Sequence, residues 1–175
     1  KGGDHIDQLL FERYLFPELG KGVKWSRRID GSWVETDFPF KEFESLLLNW
    51  PVTYTLNQNR YRSKIKDCMT DNPESANQLR RLDELITHNY GYVVFQALRK
   101  AKAELSSQAT ATIDIPELDL EIEISRHSFE SMLTPLLAEI DGLINEALHE
   151  AGVDEEEVSL VIRTGGSSLI ACIRD

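Results

Sequence analysis

The chain has 175 residues, of which 41% are hydrophobic, and its 19 Lys and Arg against 30 Asp and Glu residues give a formal net charge of -11. At this length a folded chain buries about 70% of the surface that its unfolded form exposes, so no disulfide framework is needed. Two cysteines, Cys68 and Cys172, are too few for a secreted disulfide scaffold or a zinc site, and they predict buried thiols in a reducing, cytoplasmic compartment. No apolar run approaches the roughly 18 residues of a membrane-spanning helix.

The N-terminal segment is predicted to be helical. Apolar residues follow Asp4 at helical spacing from Ile6 to Tyr14, so Asp4 is expected to cap a helix that ends before Pro17. The start at Lys1 has neither an initiator Met nor a signal segment, and the chain is therefore interpreted as a piece of a longer protein.

Residues 19–39 predict a long loop with one hairpin, because an Asp30-Gly31 turn signal lies between two tryptophans, Trp25 and Trp33. Short helices are expected at residues 40–50 and 58–69, with a strand-like or extended stretch at residues 51–57 between them. The three tryptophans, Trp25, Trp33 and Trp50, are expected to fill a local core.

The strongest helical periodicity begins after Asn72 and Pro73, which are expected to serve as helix cap and first helical residue. An uninterrupted helix over residues 74–106 would be about 50 Å long, which is unusual in a compact domain. We therefore expect a kink or break at residues 89–91.

The C-terminal part predicts a hairpin of residues 110–115 and 120–124, followed by helices and one strand. Ser125 is expected to open a short helix, and Thr134-Pro135 to open an amphipathic one that ends at Gly152. Residues 158–162 are rich in β-branched side chains and predict a strand that leads into Gly165 and Gly166. Together these elements predict an α+β fold with helices packed on a small sheet.

The glycine pair after the last expected strand is the most informative local motif. Gly165 and Gly166 precede two serines, Ser167 and Ser168. Glycines let a ligand approach the backbone, and a helix start offers free amides to it. On its own, however, such a pair is more often a simple turn.

Several motifs in order resemble the DnaK-type 70-kilodalton heat-shock chaperone family. In chain order they are an Ala101-Lys102 pair before Leu105-Ser106-Ser107, the hairpin, an Arg126-x-x-Phe129-Glu130 helix and Gly165-Gly166-Ser167. The N-terminal residues Gly2-Gly3-Asp4-His5-Ile6-Asp7 are similar to the segment with which the family enters the same region. The resemblance implies the second lobe of an actin-like ATPase domain. It covers residues 90–175 well and residues 1–15 weakly, and residues 16–89 are interpreted as an enlarged helical and loop insertion within a single fragment.

The resemblance also implies a set of nucleotide-binding residues. Lys102 and Ser106 would face the ribose and adenine side of a bound nucleotide, Gly165, Gly166 and Ser167 would line its other side, and Gly3 would lie near the phosphates. The parent would bind and hydrolyse ATP with magnesium, and the fragment would form the adenosine-side wall and the flap that opens to release ADP. Phosphate-binding loops and magnesium ligands would come from other segments, so no catalytic residue is expected in this piece and no nucleotide is expected to bind it tightly.

Three positions depart from the family's pattern. Ala103 and Leu169 stand where the family has two arginines that sandwich adenine, and Arg99 stands where it has a glutamate on the ribose. A rival interpretation is therefore a chaperone-like protein-interaction module that has lost nucleotide binding. The expected protein partners are a nucleotide-exchange factor or a co-chaperone, and the fragment is expected to be a monomer with a radius of gyration of about 16 Å.

A nucleic-acid interface is a third interpretation and is less favoured. Residues 1–108 carry a net charge of +1 and residues 109–175 a net charge of -12, so only the first part could meet a polyanion. Its basic residues from Arg60 to Lys66 recur at every second position and would scatter around a helix as a solvated face. The four histidines lie far apart, and no metal site and no membrane contact is expected.

Overall fold

A computed structural model describes residues 2–174, without the side chains of Ser167, Leu169, Ala171 and Arg174. The helices are α1 Gly3–Leu10, α2 Lys41–Leu47, α3 Asn59–Asp71, α4 Ala76–Thr87, α5 Gly91–Leu105, α6 Arg126–Ala151 and α7 Ala171–Arg174. The strands are β1 Lys24–Ile29, β2 Ser32–Asp37, β3 Thr110–Ile115 and β4 Leu120–Ser125. The fold is thus helix-rich and α+β, but the strands form two separate antiparallel hairpins rather than the one small sheet expected.

The first helix begins two residues earlier than the sequence suggests. Gly2 is the N-cap, with extended backbone, and Asp4 lies in the first turn, so the expectation that Asp4 caps the helix is wrong. Its carboxylate there complements the positive end of the helix dipole. A π-helical turn, Phe11–Leu15, continues α1, and a 3₁₀ turn starts at Pro17, which confirms that the helix ends before this proline.

The hairpin β1–β2 turns at Asp30 and Gly31, as expected, and both residues have positive φ, 49° and 83°. This geometry fits the right-handed twist of the two strands. Trp25 is buried, whereas the side chain of Trp33 is 74% exposed and that of Trp50 is 37% exposed. The expectation that all three tryptophans fill a core therefore holds only for Trp25.

Residues 50–57 form a 3₁₀ helix, so the extended stretch expected at residues 51–57 is wrong. Thr53 and Leu56 are buried three residues apart, which is the period of a 3₁₀ helix and not that of a strand. The Thr53 hydroxyl donates to the carbonyl oxygen of Leu46 at 3.1 Å and so ties this helix to the end of α2.

A tight contact between this 3₁₀ helix and α5 supports a prediction. A Cβ added at Gly91 would lie 3.0 Å from Thr53 Oγ1 and 3.3 Å from Trp50 Cβ. We expect Gly91→Ala to destabilise the fold by about 1–3 kcal/mol, because the two elements must move apart.

Gly142→Ala is the matched control, because nothing lies within 4 Å of the Cβ position in the exposed half of α6. This substitution should stabilise the fold by about 0.5–1 kcal/mol through helix propensity alone. Urea unfolding of both variants measures the difference, and equal shifts of the same sign would contradict the packing argument.

The long periodic region is broken where expected. Helix α4 ends at Thr87 and α5 begins at Gly91, and Asn89 between them has a φ of 55°. Pro73 opens a 3₁₀ turn before α4, but the side chain of Asn72 does not cap it. Its amide nitrogen donates instead to the carbonyl oxygen of Cys68 at 3.1 Å, and its oxygen accepts from the backbone of Ser26 at 3.1 Å.

The second hairpin is confirmed, with β3 and β4 paired from Thr110↔Ser125 to Ile115↔Leu120. One face is buried through Ala111, Ile113 and Ile124. Asp119 closes the turn in the left-handed region, with a φ of 50°. Helix α5 packs against β3, so this hairpin is held on the helical layer.

Helix α6 is one continuous helix of 26 residues, so the two helices expected here are wrong in number. Ser125 caps it by accepting from the backbone of Ser128 at 3.1 Å, and Gly152 ends it with a φ of 63°, both as expected. Pro135 removes a hydrogen bond to the carbonyl group of Ser131, which is exposed and can bond water instead. On the apolar face expected after Pro135, Leu136 is buried, whereas Leu143 and Ile144 are exposed.

Residues 158–162 do not form the expected strand and have no regular secondary structure. A strand needs a neighbouring strand to satisfy its backbone groups, and within residues 2–174 none pairs with this segment. Leu160, Val161 and Ile162 are 68–78% exposed as a result.

The buried apolar side chains form one core that runs from α1 to Ile170. Phe11, Phe16 and Phe43 are among its fully buried members. Cys68 is buried as expected, and burial raises the pKa of its thiol to about 11, whereas Cys172 is half-buried. Among the described helices, none combines the length and the hydropathy that crossing a bilayer requires.

Candidate functional site

The glycine turn expected to face a nucleotide is open on its outer side. Gly165 has a φ of 89°, and Cβ atoms added at Gly165 or Gly166 would have nothing within 4 Å. The Ser168 hydroxyl donates to the carbonyl oxygen of Gly165 at 2.6 Å, and the Ser168 amide donates to the same oxygen at 3.2 Å. The turn is therefore closed by its own bonds, with free space beside both glycines.

Lys102 projects from α5 to the first turn of α1. Its ammonium nitrogen donates to the carbonyl oxygen of Gly3 at 3.0 Å and to Oδ1 of Asp7. The side chain of Lys102 is only 17% exposed. Two residues expected at the same site, Gly3 and Lys102, are thus in direct contact.

The buried Asp7 carboxylate is the centre of an ionic network, here called the Asp7 network, which is made of Asp4, Asp7, Arg99 and Lys102 and is exposed at Asp4. The Asp7 side chain is 1% exposed and accepts from Arg99 Nε at 3.2 Å as well as from Lys102. A second guanidinium nitrogen of Arg99 lies 3.1 Å from Oδ1 of Asp4. A buried carboxylate is costly unless paired, and here two cations pair with it.

The pKa of Arg99 is raised above its ordinary value. The hydrogen bond to Asp7 is the main cause, burial opposes it, and Asp4 adds to the increase. Arg99 therefore stays charged, and its guanidinium group is bound to two carboxylates of α1. The Arg99 side chain is therefore engaged in ion pairs within the chain and is not free.

A cavity of about 190 Å³ lies beside the same turn of α1. Its walls are mostly aliphatic and include Ile6, Leu136 and Ile140. Its polar rim includes Thr164 and Ser168, which flank the glycine turn, and Gly2 at the start of α1. The first turn of α1 thus contacts Lys102 directly and reaches the glycine turn across this cavity.

The remaining expected site residues are less closely associated. Ser106 is half-buried after the end of α5, and its hydroxyl donates back to the carbonyl oxygen of Ala103. Within the described residues, no hydrogen bond or ion pair joins Ser106 or Lys102 to Gly165 or Gly166. The side chains of Ser167 and Leu169 lie outside the described part of the structure.

The sequence interpretation missed the role of Asp7 as a structural ion-pair centre. The signal was present, because Asp7 lies on the buried side of α1 beside Ile6 and Leu10. A carboxylate in an apolar stripe indicates a paired charge, and Arg99 and Lys102 three residues apart on one helix could supply it.

The basic residues of α3 are engaged with neighbours in the fold. Arg62 binds Asp83 and Asn57, Lys64 binds Glu42, and the guanidinium of Arg60 lies 4.6 Å from the ring centre of Tyr61. Within the part of the chain that the structure describes, no group of three His, Cys, Asp or Glu side chains could hold a metal ion.

Comparison with protein families gives one match to more than half of the chain. Residues 83–175 match the model of the family described as "Hsp70 protein". This range contains α5, the second hairpin, α6 and the glycine turn.

Curated relatives are similar at low identity. Chaperone protein DnaK of Thermus thermophilus is 32% identical over 91 residues, which cover 46% of this chain and 15% of the relative. The Chaperone protein HscA homolog of Haemophilus influenzae is 30% identical over 134 residues, which cover 77% of this chain and 17% of the relative. The chain thus spans about one sixth of the length of these relatives.

Proposed function

Because this chain belongs to the Hsp70 protein family, we propose that it contributes the adenosine-side wall and the nucleotide-exchange flap of an actin-like ATPase domain. Residues 90–175 together with α1 form this part of the second lobe, and residues 16–89 are an insertion into it. The parent protein binds ATP or ADP with magnesium and acts as a chaperone with an exchange factor or co-chaperone.

The observation that carries the proposal is the position of the first turn of α1. This turn contacts Lys102 through Gly3, and it shares the cavity with Thr164 and Ser168. The three segments that the family resemblance assigns to nucleotide binding are separated in sequence by about 60–100 residues, yet they meet around one turn of helix.

The side chains of Lys102 and Ser106 suit a ribose better than an adenine. Lys102 has a third N–H beyond its bonds to Gly3 and Asp7, and the Ser106 hydroxyl can still accept a hydrogen bond. Adenine would meet Ala103, which has no planar cation to stack on the base. The residues present therefore do not fit tight adenine binding, and in this proposal Lys102 and Ser106 contact only the sugar.

The test is calorimetric titration of the chain with ATP and with adenosine. We expect no saturable ATP binding by the wild-type chain below about 1 mM, because the -11 charge repels the triphosphate and few contacts remain. The double variant Ala103→Arg/Leu169→Arg should bind adenosine about tenfold more tightly than the wild type, since two guanidinium planes would flank the base.

A control variant, compared with the double arginine variant, tests the assignment of positions 103 and 169. Lys100→Arg lies on the same helix and adds no cation at position 103, so it should leave adenosine binding unchanged. Micromolar ATP binding by the wild type would indicate a different site. No gain in the double arginine variant would show that positions 103 and 169 do not face the base.

A second candidate function is a protein-interaction module that no longer binds nucleotide. The Asp7 network favours it, because the guanidinium of Arg99 is bound to Asp4 and Asp7 at the position that the family resemblance assigns to the ribose. Nucleotide binding by the intact parent protein distinguishes the two, since the module would bind neither ATP nor ADP.

A further inference from the structure

The hairpin β1–β2 lies outside residues 83–175, which match the family model, and its two edges differ. Along the outer edge of β1, the amide of Ser26 donates to Asn72 Oδ1 at 3.1 Å. The Trp25 indole nitrogen also donates to Asp71 at 2.8 Å, so the end of α3 covers this edge. The outer edge of β2, residues 32–37, is exposed along most of its length.

The register shows which backbone groups of β2 point outward. Ser26 pairs with Glu35, and the Ser26 amide points away from β2 because it binds Asn72. Directly opposite residues of an antiparallel pair share this orientation, which repeats every second residue. The amide and carbonyl groups of Trp33, Glu35 and Asp37 therefore point away from β1. Among the described residues, none of these outward groups has a backbone hydrogen-bond partner.

The edge carries two charged side chains, Glu35 and Asp37, but lacks the other features by which proteins usually block strand addition. Residues 32–37 include no proline and no lysine, and the pairing with β1 is regular at every residue without a bulge. The strand is also held in place, because Trp25 is buried and Lys24 is paired with Asp37 across the hairpin. A two-stranded ribbon gains stability from a third strand.

The side chains along the edge define what a third strand would carry. On one face, Trp33 is 74% exposed and lies next to Glu35. The Glu35 carboxylate interacts electrostatically with Lys24, its diagonal neighbour on β1, but forms no ion pair within 4 Å among the described residues. On the other face, Val34 is 37% exposed. A basic residue opposite Glu35 would have Asp37 and the Trp33 ring as diagonal neighbours, which favours a cation there.

We propose that the outer edge of β2 is a docking site for an extended segment of a partner protein, which adds as a third, antiparallel strand and places Arg or Lys opposite Glu35. A second copy of this chain fits less well, because two antiparallel copies of β2 would bring both Glu35 and both Asp37 carboxylates to one ribbon. Backbone hydrogen bonds to Trp33, Glu35 and Asp37 give affinity, and the charge of Glu35 gives selectivity.

The test uses the 175-residue chain and a labelled peptide of sequence Thr-Thr-Arg-Val-Tyr-Thr, followed by fluorescence anisotropy. Paired antiparallel to β2, this peptide places Arg opposite Glu35, Val opposite Val34 and Tyr opposite Trp33. We expect saturable binding below about 1 mM. The same peptide N-methylated at the amides that face β2 should bind about tenfold more weakly, because it loses main-chain donors.

A charge exchange tests the pairing with Glu35. Glu35→Lys should weaken binding of the Arg peptide about threefold or more, and a peptide with Glu in place of Arg should regain that affinity on the variant. Tyr54→Ala, which removes another exposed aromatic ring, is the control and should change nothing.

Three outcomes would overturn the proposal. They are no binding by the folded wild-type chain, equal binding of the N-methylated peptide, and a dimer in sedimentation velocity that Glu35→Lys alters, since that would assign the edge to a second copy. Circular dichroism shows in each case that the variants are folded.

Discussion

Replacing Lys102 with Met should lower the free energy of unfolding by about 2–4 kcal/mol, even when no nucleotide is present. The substitution keeps the aliphatic stem but removes one of the two cations that pair with the buried Asp7 carboxylate. Breaking a buried pair leaves a charge with too few partners, and this costs more than the pair itself contributes. Urea unfolding followed by circular dichroism measures the change.

Lys100→Met is the matched control, because Lys100 lies on the same helix and is exposed. It should shift the free energy of unfolding by less than about 0.5 kcal/mol. The double variant Asp7→Asn/Lys102→Met should be less destabilised than the sum of its single variants, since Asn leaves no unpaired charge. Equal, small effects of Lys100→Met and Lys102→Met would show that the Asp7 network does not stabilise the fold.

Phe11→Ala should have the largest effect on stability, a loss of about 3–5 kcal/mol. The Phe11 ring is fully buried and contacts Phe16 at 5.6 Å and Phe95 at 5.5 Å between ring centres. It therefore joins the π-helical turn after α1 to α5, and its removal leaves a cavity between two parts of the core. Guanidinium chloride unfolding gives the change in free energy.

Because the core is continuous, the chain should unfold in one transition both before and after this substitution. Tryptophan fluorescence reports on the first hairpin, through Trp25 and Trp33, and on the 3₁₀ helix that begins at Trp50. Circular dichroism reports on the helices, and the two curves should coincide. Tyr54→Ala serves as the control, since this ring is 63% exposed and its removal should cost less than about 0.5 kcal/mol. Two separate transitions would contradict the single core.

The sequence alone was sufficient to predict the turns and helix ends that require a residue with positive φ. The Asp30-Gly31 turn, the break around Asn89 and the end of α6 at Gly152 all have residues with positive φ, and such positions have a strong residue preference. The burial of Trp25 but not of Trp33 could not be predicted in the same way. It depends on which face of β1–β2 packs against α3, and the sequence of the hairpin does not contain that information.

Two expectations were wrong because a local preference was outweighed by its surroundings. Thr134-Pro135 is a good helix start, yet the helix continues through it because the carbonyl freed by Pro135 is exposed to water. Residues 158–162 have strand propensity, but propensity without a neighbouring strand gives no ladder. The Asp7 network was missed for a related reason, since Asp7 and Lys102 are 95 residues apart in the sequence.

The exposed segment at residues 158–162 has a consequence for handling the chain in concentrated solution. Val158, Leu160, Val161 and Ile162 contain no proline or charge among them, a composition typical of segments that stack into cross-β fibrils. Three glutamates, Glu155, Glu156 and Glu157, directly precede the segment, and Arg163 follows it. In a stack with chains in register these side chains would repeat next to their own copies, so they act as gatekeepers against fibril growth. High salt weakens that repulsion, and a buffer of low ionic strength preserves it.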